Sequence, residues 1–474
     1  MVLYMSNLFE NNYSQYIEPI YGNKRNPDED NFLTKNLHAD HIFKITKRID
    51  FTHQKTFSID PDGCLDADDA FSIYDEYGKL YLAIHIADPT DYIDITSPLW
   101  GDILNRTTTK YLSNRPPIHM MPDDLLEVSS LMENKAGSIK NAITILTEIN
   151  VTTYTPIGNI QILFTKIKVS KENALTYYQA SISKLREITI GLNIAKVLKT
   201  MRSKKTKGVI LNDLSMAYTK YSENDIFLQV DSIEEKEIKQ MIAEFAIFSN
   251  SFVGEYLKIN LNMGIFRTCP ASEWLKTLYN GITPEEMITE IITNGIKADY
   301  LSNSESHDLV GMPEYCHFTS PIRRLADCIC HYLLKYIHLR PNVDCPFIDQ
   351  QLNQLANKCL SATKKDKKNQ YLDIKFRLLQ FMHKLVIQKS NILIEYYVTS
   401  YKGLFLNLII SKIEEYNIHM SYTLRIPFYE KEIRVKEKKN LVISKINCFV
   451  KYDQGTIPEL DEVFLFSTVD LSLH

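Results

Sequence analysis

The chain has 474 residues, 45% hydrophobic and 24% charged, with a formal net charge of −4. That is enough chain for roughly three domains and a large core; the charge balance excludes a protein that coats nucleic acid with a basic surface, so a polyanion site must be a local patch or an interior channel. Eight cysteines are scattered without a CxxC pair, no basic, apolar and small-residue leader opens the chain, and no apolar run approaches the ~18 residues of a membrane span, so we expect free thiols in a reducing compartment, cytoplasm or nucleus, and a protein that is not secreted.

Residues 1–50 are polar and broken by turn signals such as YGNKRNPDEDN, and read as an extension or cap. From about residue 55 the pattern turns to strands. TFSI comes first, then AFSIYD and KLYLAIHIA alternate around Glu76-Tyr77-Gly78 as a hairpin does, and a second pair lies within 140–168 around Pro-Ile-Gly. After Ser170 the apolar spacing lengthens to three and four residues, which predicts helices over 171–202, 233–262, 283–296, 321–338 and 347–390. From residue 392 short strands return: ILIEYYVTS, LFLNLII, YTLRIPFY, LVISKINCFVKYD and VFLFST, a length that suits a small barrel. The expected plan is α+β: an extension (1–50), a body (51–391) and a small β domain (392–474).

One loop concentrates charge. SIDPDGCLDADDAF, residues 58–71, sets Asp60, Asp62, Asp66, Asp68 and Asp69 among apolar residues just before the hairpin. Carboxylates this close repel, and each is unfavourable away from water without a partner. A solvated turn is the plain explanation, since Asp and Gly are turn formers. An EF-hand calcium loop fails: counted from Asp60, positions 5, 6 and 12 are Cys64, Leu65 and Phe71, where an oxygen ligand, Gly and Glu are needed. The remaining reading is a cage for a hard divalent ion, Mg²⁺ or Mn²⁺, which supplies the missing positive charge, activates water and stabilises charge on a phosphate.

The spacing D-x5-D-x-D-D, followed by HIADPTDYI, resembles the catalytic signature of the RNase II/RNase R/Dis3 family of 3′→5′ exoribonucleases, the RNB domain. Three further stretches are similar to that family in the same order: YLSNRPPIHMMPDDLLEVSSL (111–131), IAEFAIFSNSFVGEYL (242–257) and YCHFTSPIRRLADCICHYLLK (315–335). The resemblance implies an RNB-type catalytic domain, a mixed sheet surrounded by helices, with an OB-like barrel after it. It implies metal binding by Asp60, Asp66, Asp68 and Asp69, the chemistry leaning on Asp68 and most strongly on Asp69. It places Tyr111 where the family holds terminal nucleotides, Asn250 at a recurring asparagine, and Arg323 on the cleaved phosphate, with Arg324 beside it on RNA. The implied activity is metal-dependent hydrolysis of single-stranded RNA to nucleoside 5′-monophosphates, by a monomer or a member of an RNA-processing complex, without a membrane partner.

The residues of SPIRR make physical sense for a phosphate. Ser320 suits an N-cap and Pro321 a first helical position, with Ile322, Leu325, Ile329 and Leu333 as one apolar stripe. A helix start there would offer free N–H groups beside the Arg323 fork. Arg324 is expected to pair with Asp327. His85, Cys328, Cys330 and His331 read as core residues, and Asp88 as a support for the acidic loop. RSKKTKG (202–208), KKDKK (364–368) and KEKKN (436–440) are solvated faces or backbone-phosphate contacts.

The family pattern is not matched everywhere. Members carry two cold-shock barrels before the catalytic domain, where about 50 residues precede the acidic loop here. The residue after SPIRR is Leu325 instead of tyrosine, and Asp366 and Asp373 are the candidates for an acidic residue of the long helix. The alternatives are a catalytically lapsed RNA-binding or scaffold protein of the same fold, and a DNA exonuclease on the same scaffold.

Overall fold

The hairpin around Glu76-Tyr77-Gly78 lies at the heart of a mixed sheet. The computed structural model describes residues 10–205, 217–222, 225–271, 297–389, 392–402, 405–425 and 438–443. Strands β1 (Ile49–Asp50), β2 (Thr56–Asp60), β3 (Asp69–Glu76), β4 (Lys79–Ala87), β5 (Ile139–Ile149), β6 (Pro156–Lys168) and β7 (Ala174–Thr176) run in the order β1-β6-β5-β4-β3-β2-β7. Neighbours from β2 to β6 are antiparallel, while β1 joins β6 and β7 joins β2 in parallel. Tyr77 and Gly78 have φ of 50° and 76°, the left-handed pair that a two-residue hairpin turn needs to match strand twist.

Helices cover this sheet: α1 (Pro27–Thr34), α2 (Pro98–Arg106), α3 (Asp123–Ser129), α4 (Tyr177–Ser181), α5 (Arg186–Lys205), α6 (Ile233–Leu261), α7 (Leu325–Leu339) and α8 (Asp349–Lys389). The predicted helix over 233–262 matches α6, which starts on a Ser232–Glu235 capping box and ends on Asn262 in the left-handed conformation. Phe71 of β3 stacks on Phe57 (centroids 5.8 Å) and meets Phe245 of α6 edge-on (5.5 Å), so sheet and helix share one core. α6 passes so close to the 315–316 backbone that a Cβ on Gly254 would stand 3.2 Å from both amide nitrogens. α7 is buried from Leu325 through Lys335, as a helix enclosed on all sides must be.

Two boundaries differ from expectation. Residues 171–176 are a short 3₁₀ turn and β7, because Thr176 opens α4 with its own capping box. Residues 321–323 are a turn, Arg324 is extended and bridges to Thr108, and α7 begins only at Leu325. The helix expected over 283–296 and the strand VFLFST lie outside the described residues.

Between α5 and α6 runs a hairpin, β8 (Tyr218–Ser222) with β9 (Asp225–Gln229), and after α6 comes the pair β10 (Phe266–Thr268) and β11 (Asp299–Leu301). Strands β12 (Ile392–Lys402), β13 (Phe405–Ile413), β14 (Tyr416–Arg425) and β15 (Lys438–Ile443) form an antiparallel sheet in the order β14-β13-β12-β15. Its Ile392, Ile394 and Val398 pack on Leu379 and Met382 of α8 and on Ile226 and Leu228 of β9. At the other end, Tyr13, Ile17 and Tyr21 are buried with Leu112, Ile118 and Phe376. No helix among the described residues is long and apolar enough to cross a membrane.

Candidate active site

β2 ends at Asp60 and β3 starts at Asp69, and these strands are sheet neighbours, so pairing alone returns the two ends of the acidic loop to one place. Backbone bonds fix what lies between. Cys64 N–H donates to the Pro61 carbonyl (3.1 Å), Leu131 N–H to that of Ala67 (3.0 Å), and Ala87 N–H to that of Asp68 (2.8 Å). The Ala67 N–H donates to Ser130 Oγ at 3.1 Å. Asp60, Asp62, Asp66, Asp68 and Asp69 then line the floor of a cavity of about 730 Å³.

Asp68 joins the floor to the SPIRR turn. Its Oδ1 accepts from the Ile322 N–H (2.8 Å) and its Oδ2 from Arg323 Nε (3.0 Å), although the two segments are 254 residues apart or more. Arg323 Nη2 also donates to Ser320 Oγ at 2.9 Å. The Ser320 N–H goes to Asp327 Oδ1 (2.8 Å), which also takes Arg324 Nη2 (2.9 Å), as expected for Arg324 and Asp327. The expected helix start at Ser320 is therefore corrected. Two N–H groups of the SPIRR segment are satisfied by carboxylates of the protein itself, and what faces the cavity is the Arg323 side chain, 41% exposed.

Asp60, Asp68 and Asp69 are far from their ordinary titration range. Burial raises Asp60 to about 6, helped by repulsion from Asp68 and Asp66. Burial pushes Asp68 to about 7 in spite of Arg323, and Asp69 to about 7 with Asp60 adding repulsion. For Arg323 the order is reversed: burial alone would lower its pKa, but the Asp68 carboxylate raises it and holds the guanidinium charged.

Two tyrosines stand on the walls. Tyr111, 41% exposed, lies by Asp66 and Asp68, and Tyr177 by Asp69 and Asp60; burial and these carboxylates raise both phenols, which keeps them neutral. Lys239 also lines the cavity, with its ammonium 5.1 Å from the Tyr177 ring centre and 2.6 Å from Asp231. Asn250 supports the SPIRR segment from α6. Its Nδ2 donates to Tyr315 OH (3.0 Å) and Thr319 Oγ1 (3.4 Å), and its Oδ1 accepts the Phe318 N–H (2.9 Å). Tyr177, Lys239 and His119 line the cavity without having been singled out from the sequence. Pairing of β7 with β2 brings Tyr177 there, α6 brings Lys239, and His119 follows the Lys110–Ile118 backbone pair.

A hard cation fits the donor chemistry of the floor. Asp60 Oδ2 and Asp66 Oδ2 are buried without a hydrogen-bond partner, and oxygen-rich carboxylate sets suit Mg²⁺ or Mn²⁺. Among the described residues no three His, Cys, Asp or Glu side chains form a ready ligand cluster. Asp68 gives one reason: expected with the other three, it is turned to Arg323 and the Ile322 amide. Asp60, Asp66 and Asp69 are the carboxylates left to hold an ion.

Comparison with known proteins supplies the family. The RNB domain profile matches residues 48–339, more than half of the chain. The chain belongs to the RNB family. It is 28% identical over 374 residues to the human exosome complex exonuclease RRP44, a match covering 68% of this chain and 38% of that protein. The match to the Arabidopsis thaliana RRP44 homolog A covers 35% of that protein, so the chain spans little more than a third of these relatives. A solved structure of Mycoplasma genitalium RNase R in complex with ribose-methylated single-stranded RNA superposes with a TM-score of 0.71 at 18% identity, covering 91% of this chain and 76% of that one. The same fold is present in yeast Ssd1, described as a pseudonuclease, at a TM-score of 0.61 and 16% identity, covering 79% of this chain and 50% of that one.

The other residues noted in this RNB sequence lie outside the cavity. His85 bonds Ser72 Oγ (3.0 Å) and Thr144 Oγ1 (2.8 Å), and burial lowers its pKa to about 3, so it is a neutral core residue. Cys328 Sγ donates to the Pro321 carbonyl (3.0 Å), Cys330 meets Cys316 (3.8 Å), and His331 Nε2 contacts the Phe318 carbonyl (3.0 Å). Asp88 sits behind the floor in a buried ion cluster with Arg48, Asp91 and Lys335. Asp366 bonds Thr108, and Asp373 accepts from Tyr13 and Tyr21. Of the basic runs, Lys364 pairs with Asp299 at 3.2 Å and Arg202 is buried against Glu244 at 2.6 Å. Residues 206–208 and 436–437 lie outside the described set.

Proposed function

We propose that this RNB protein is a metal-dependent 3′→5′ exoribonuclease that shortens single-stranded RNA and releases nucleoside 5′-monophosphates. One observation carries the reading: five carboxylates share a cavity floor, one of them, Asp68, is paired directly with Arg323, and that cation faces the same cavity as Tyr111. Asp60, Asp66 and Asp69 would hold Mg²⁺, with Mn²⁺ as a substitute. Bound there, the ion would supply a polarised water and neutralise charge on the scissile phosphate.

The chain's own groups do the rest. Arg323 is held through Nε and Nη2 and presents the remainder of its fork to the phosphate, where developing charge is stabilised. Asp68 orients that guanidinium, and Asn250 fixes the segment that carries it. Tyr111 offers a face on which a terminal base stacks, a contact tolerant of sequence. Arg324, anchored on Asp327, lines the same cavity and lies within reach of the RNA backbone.

Digestion of one RNA carrying a 5′ label in one sample and a 3′ label in another tests the direction. With Mg²⁺, the 5′ label should shift down a ladder, while the 3′ label should appear at once as a mononucleotide. A retarded but intact RNA under the same conditions supports the lapsed RNA-binding reading, for which Ssd1 gives a precedent of fold. Equal shortening of a DNA strand would remove the RNA preference from the proposal.

A further inference from the structure

Asp373 lies on α8, 1% exposed, outside the residues that line the cavity, yet three donors converge on it. Its Oδ2 accepts from Tyr13 OH at 2.8 Å, Tyr21 OH at 3.0 Å and the Ser113 N–H at 2.9 Å. Ser113 is two residues from Tyr111, and its carbonyl accepts from Arg377 Nη2 at 3.3 Å. Arg377 is fully buried, bonds Glu10 Oε1 at 2.6 Å and lies 3.8 Å from the Tyr13 ring centre. The same short loop is gripped again at Arg115, whose Nη2 pairs with Glu10 at 3.0 Å.

The loop itself is narrow. Lys110 and Ile118 exchange two backbone bonds at 2.9 Å, so residues 111–117 project as one closed arch. Leu112 and Ile118 of the arch are buried against Tyr13, Ile17, Tyr21 and Phe376. Beyond it, Arg25 holds the Met120 carbonyl at 2.8 Å. Tyr111, Pro117 and His119 are the parts of this segment that line the cavity. The arch therefore has one face in the cavity and the other bolted to the N-terminal segment and α8.

From this geometry we infer that Asp373, with Tyr13 and Tyr21 of the N-terminal segment, positions Tyr111 for the RNA end, acting through Ser113. Asp373 is a positioning residue here and touches no substrate. A buried carboxylate that takes three donors on one oxygen fixes the Ser113 backbone, and with it the direction of the neighbouring tyrosine. The inference rests on the proposed RNA site, but it concerns the hold on RNA and not the cleavage step.

The test is RNA binding by the full chain in EDTA, followed by fluorescence anisotropy of a dye-labelled single-stranded oligonucleotide, so that no cleavage is needed. Asp373→Leu is expected to weaken binding by about fivefold or more, within the range set by loss of one base–aromatic stack. Asp373→Asn keeps an acceptor for Ser113 and should retain most of the affinity. The deciding variant combines Asp373→Leu with Tyr111→Ala: if Asp373 acts through Tyr111, the pair binds within about twofold of Tyr111→Ala alone. Effects that multiply, or wild-type affinity in Asp373→Leu, overturn the inference. Should Asp373→Leu fail to fold, Tyr13→Phe with Tyr21→Phe keeps the packed rings and removes two donors. With Tyr111 present it should show a smaller loss, and that loss should vanish on the Tyr111→Ala background; unchanged affinity with Tyr111 present, or a loss that persists without it, overturns the inference equally. A wild-type chain that binds RNA but never cuts it with Mg²⁺ would sink the exonuclease reading and leave this comparison standing.

Discussion

Two groups of aspartates, close in sequence, are treated in opposite ways. Asp88 and Asp91 are met by as many cations as carboxylates: Arg48 at 2.6 and 2.8 Å, Lys335 at 3.0 and 3.3 Å. Burial alone would raise Asp88, but Lys335 and Arg48 hold it well below the usual carboxylate range. On the acidic floor, among the described residues, Asp68 alone pairs with an arginine or lysine, while Asp66 has His119 at 3.8 Å; Asp60, Asp68 and Asp69 are pushed up to between about 6 and about 7 by burial. The lesson is that burial of charge does not by itself mark a site. A paired cluster is a bolt in the core, while an unpaired one is a place for a charge the chain does not supply.

The comparison can be broken at its paired end first. Arg48→Met leaves two carboxylates buried with only Lys335, so urea unfolding should show a loss of about 3–5 kcal/mol, with cleavage per folded molecule unchanged. A loss below about 1 kcal/mol would mean that the cluster is not a bolt. At the unpaired end the expected pattern is inverted. Asp69→Asn should cut the cleavage rate by roughly 100-fold or more, while thermal stability holds or rises because a repelling charge beside Asp60 is gone. Arg323→Lys keeps the charge but loses the fork, and should slow single-turnover cleavage on the order of tenfold. Retention of the full rate would take Arg323 off the phosphate.

The smallest effect is one of pH, and the two groups have opposite signs. Asp60, Asp68 and Asp69 bind protons more tightly in the folded chain than an ordinary aspartate, whose value is 3.8. In metal-free protein they therefore subtract stability as pH rises from about 4 to about 7. Asp88, depressed when folded, contributes stability above that ordinary value of 3.8 and loses it only as pH falls further. Melting temperatures in EDTA should show Asp69→Asn level with the wild type near pH 4 and above it at pH 8. A gap that stays constant between those pH values contradicts the account.

Much of this site was legible because it is local. The acidic loop, the hairpin around Tyr77-Gly78 and the capped helix after Ser232 are each written in a short stretch. What was not legible depends on partners distant in the chain. Ser320-Pro321 has the chemistry of a helix start, yet the Ser320 and Ile322 amides are taken by Asp327 and Asp68, and α7 waits until Leu325. Tyr177 reaches the floor only because three residues of β7 pair in parallel with β2, a contact with no signature of its own. Asp373 sits on the long helix where an acidic site residue was sought, but Tyr13, Tyr21 and Ser113 claim it.

The most direct measurement is a time course of one 5′-labelled single-stranded RNA with purified chain, in Mg²⁺ and in EDTA, beside Asp69→Asn. Nucleotide-by-nucleotide shortening with the metal, none in EDTA and none by the variant is the predicted result. Shortening that survives EDTA, or an Asp69→Asn chain as fast as the wild type, would contradict the claim that the unpaired acids hold the ion that cuts RNA.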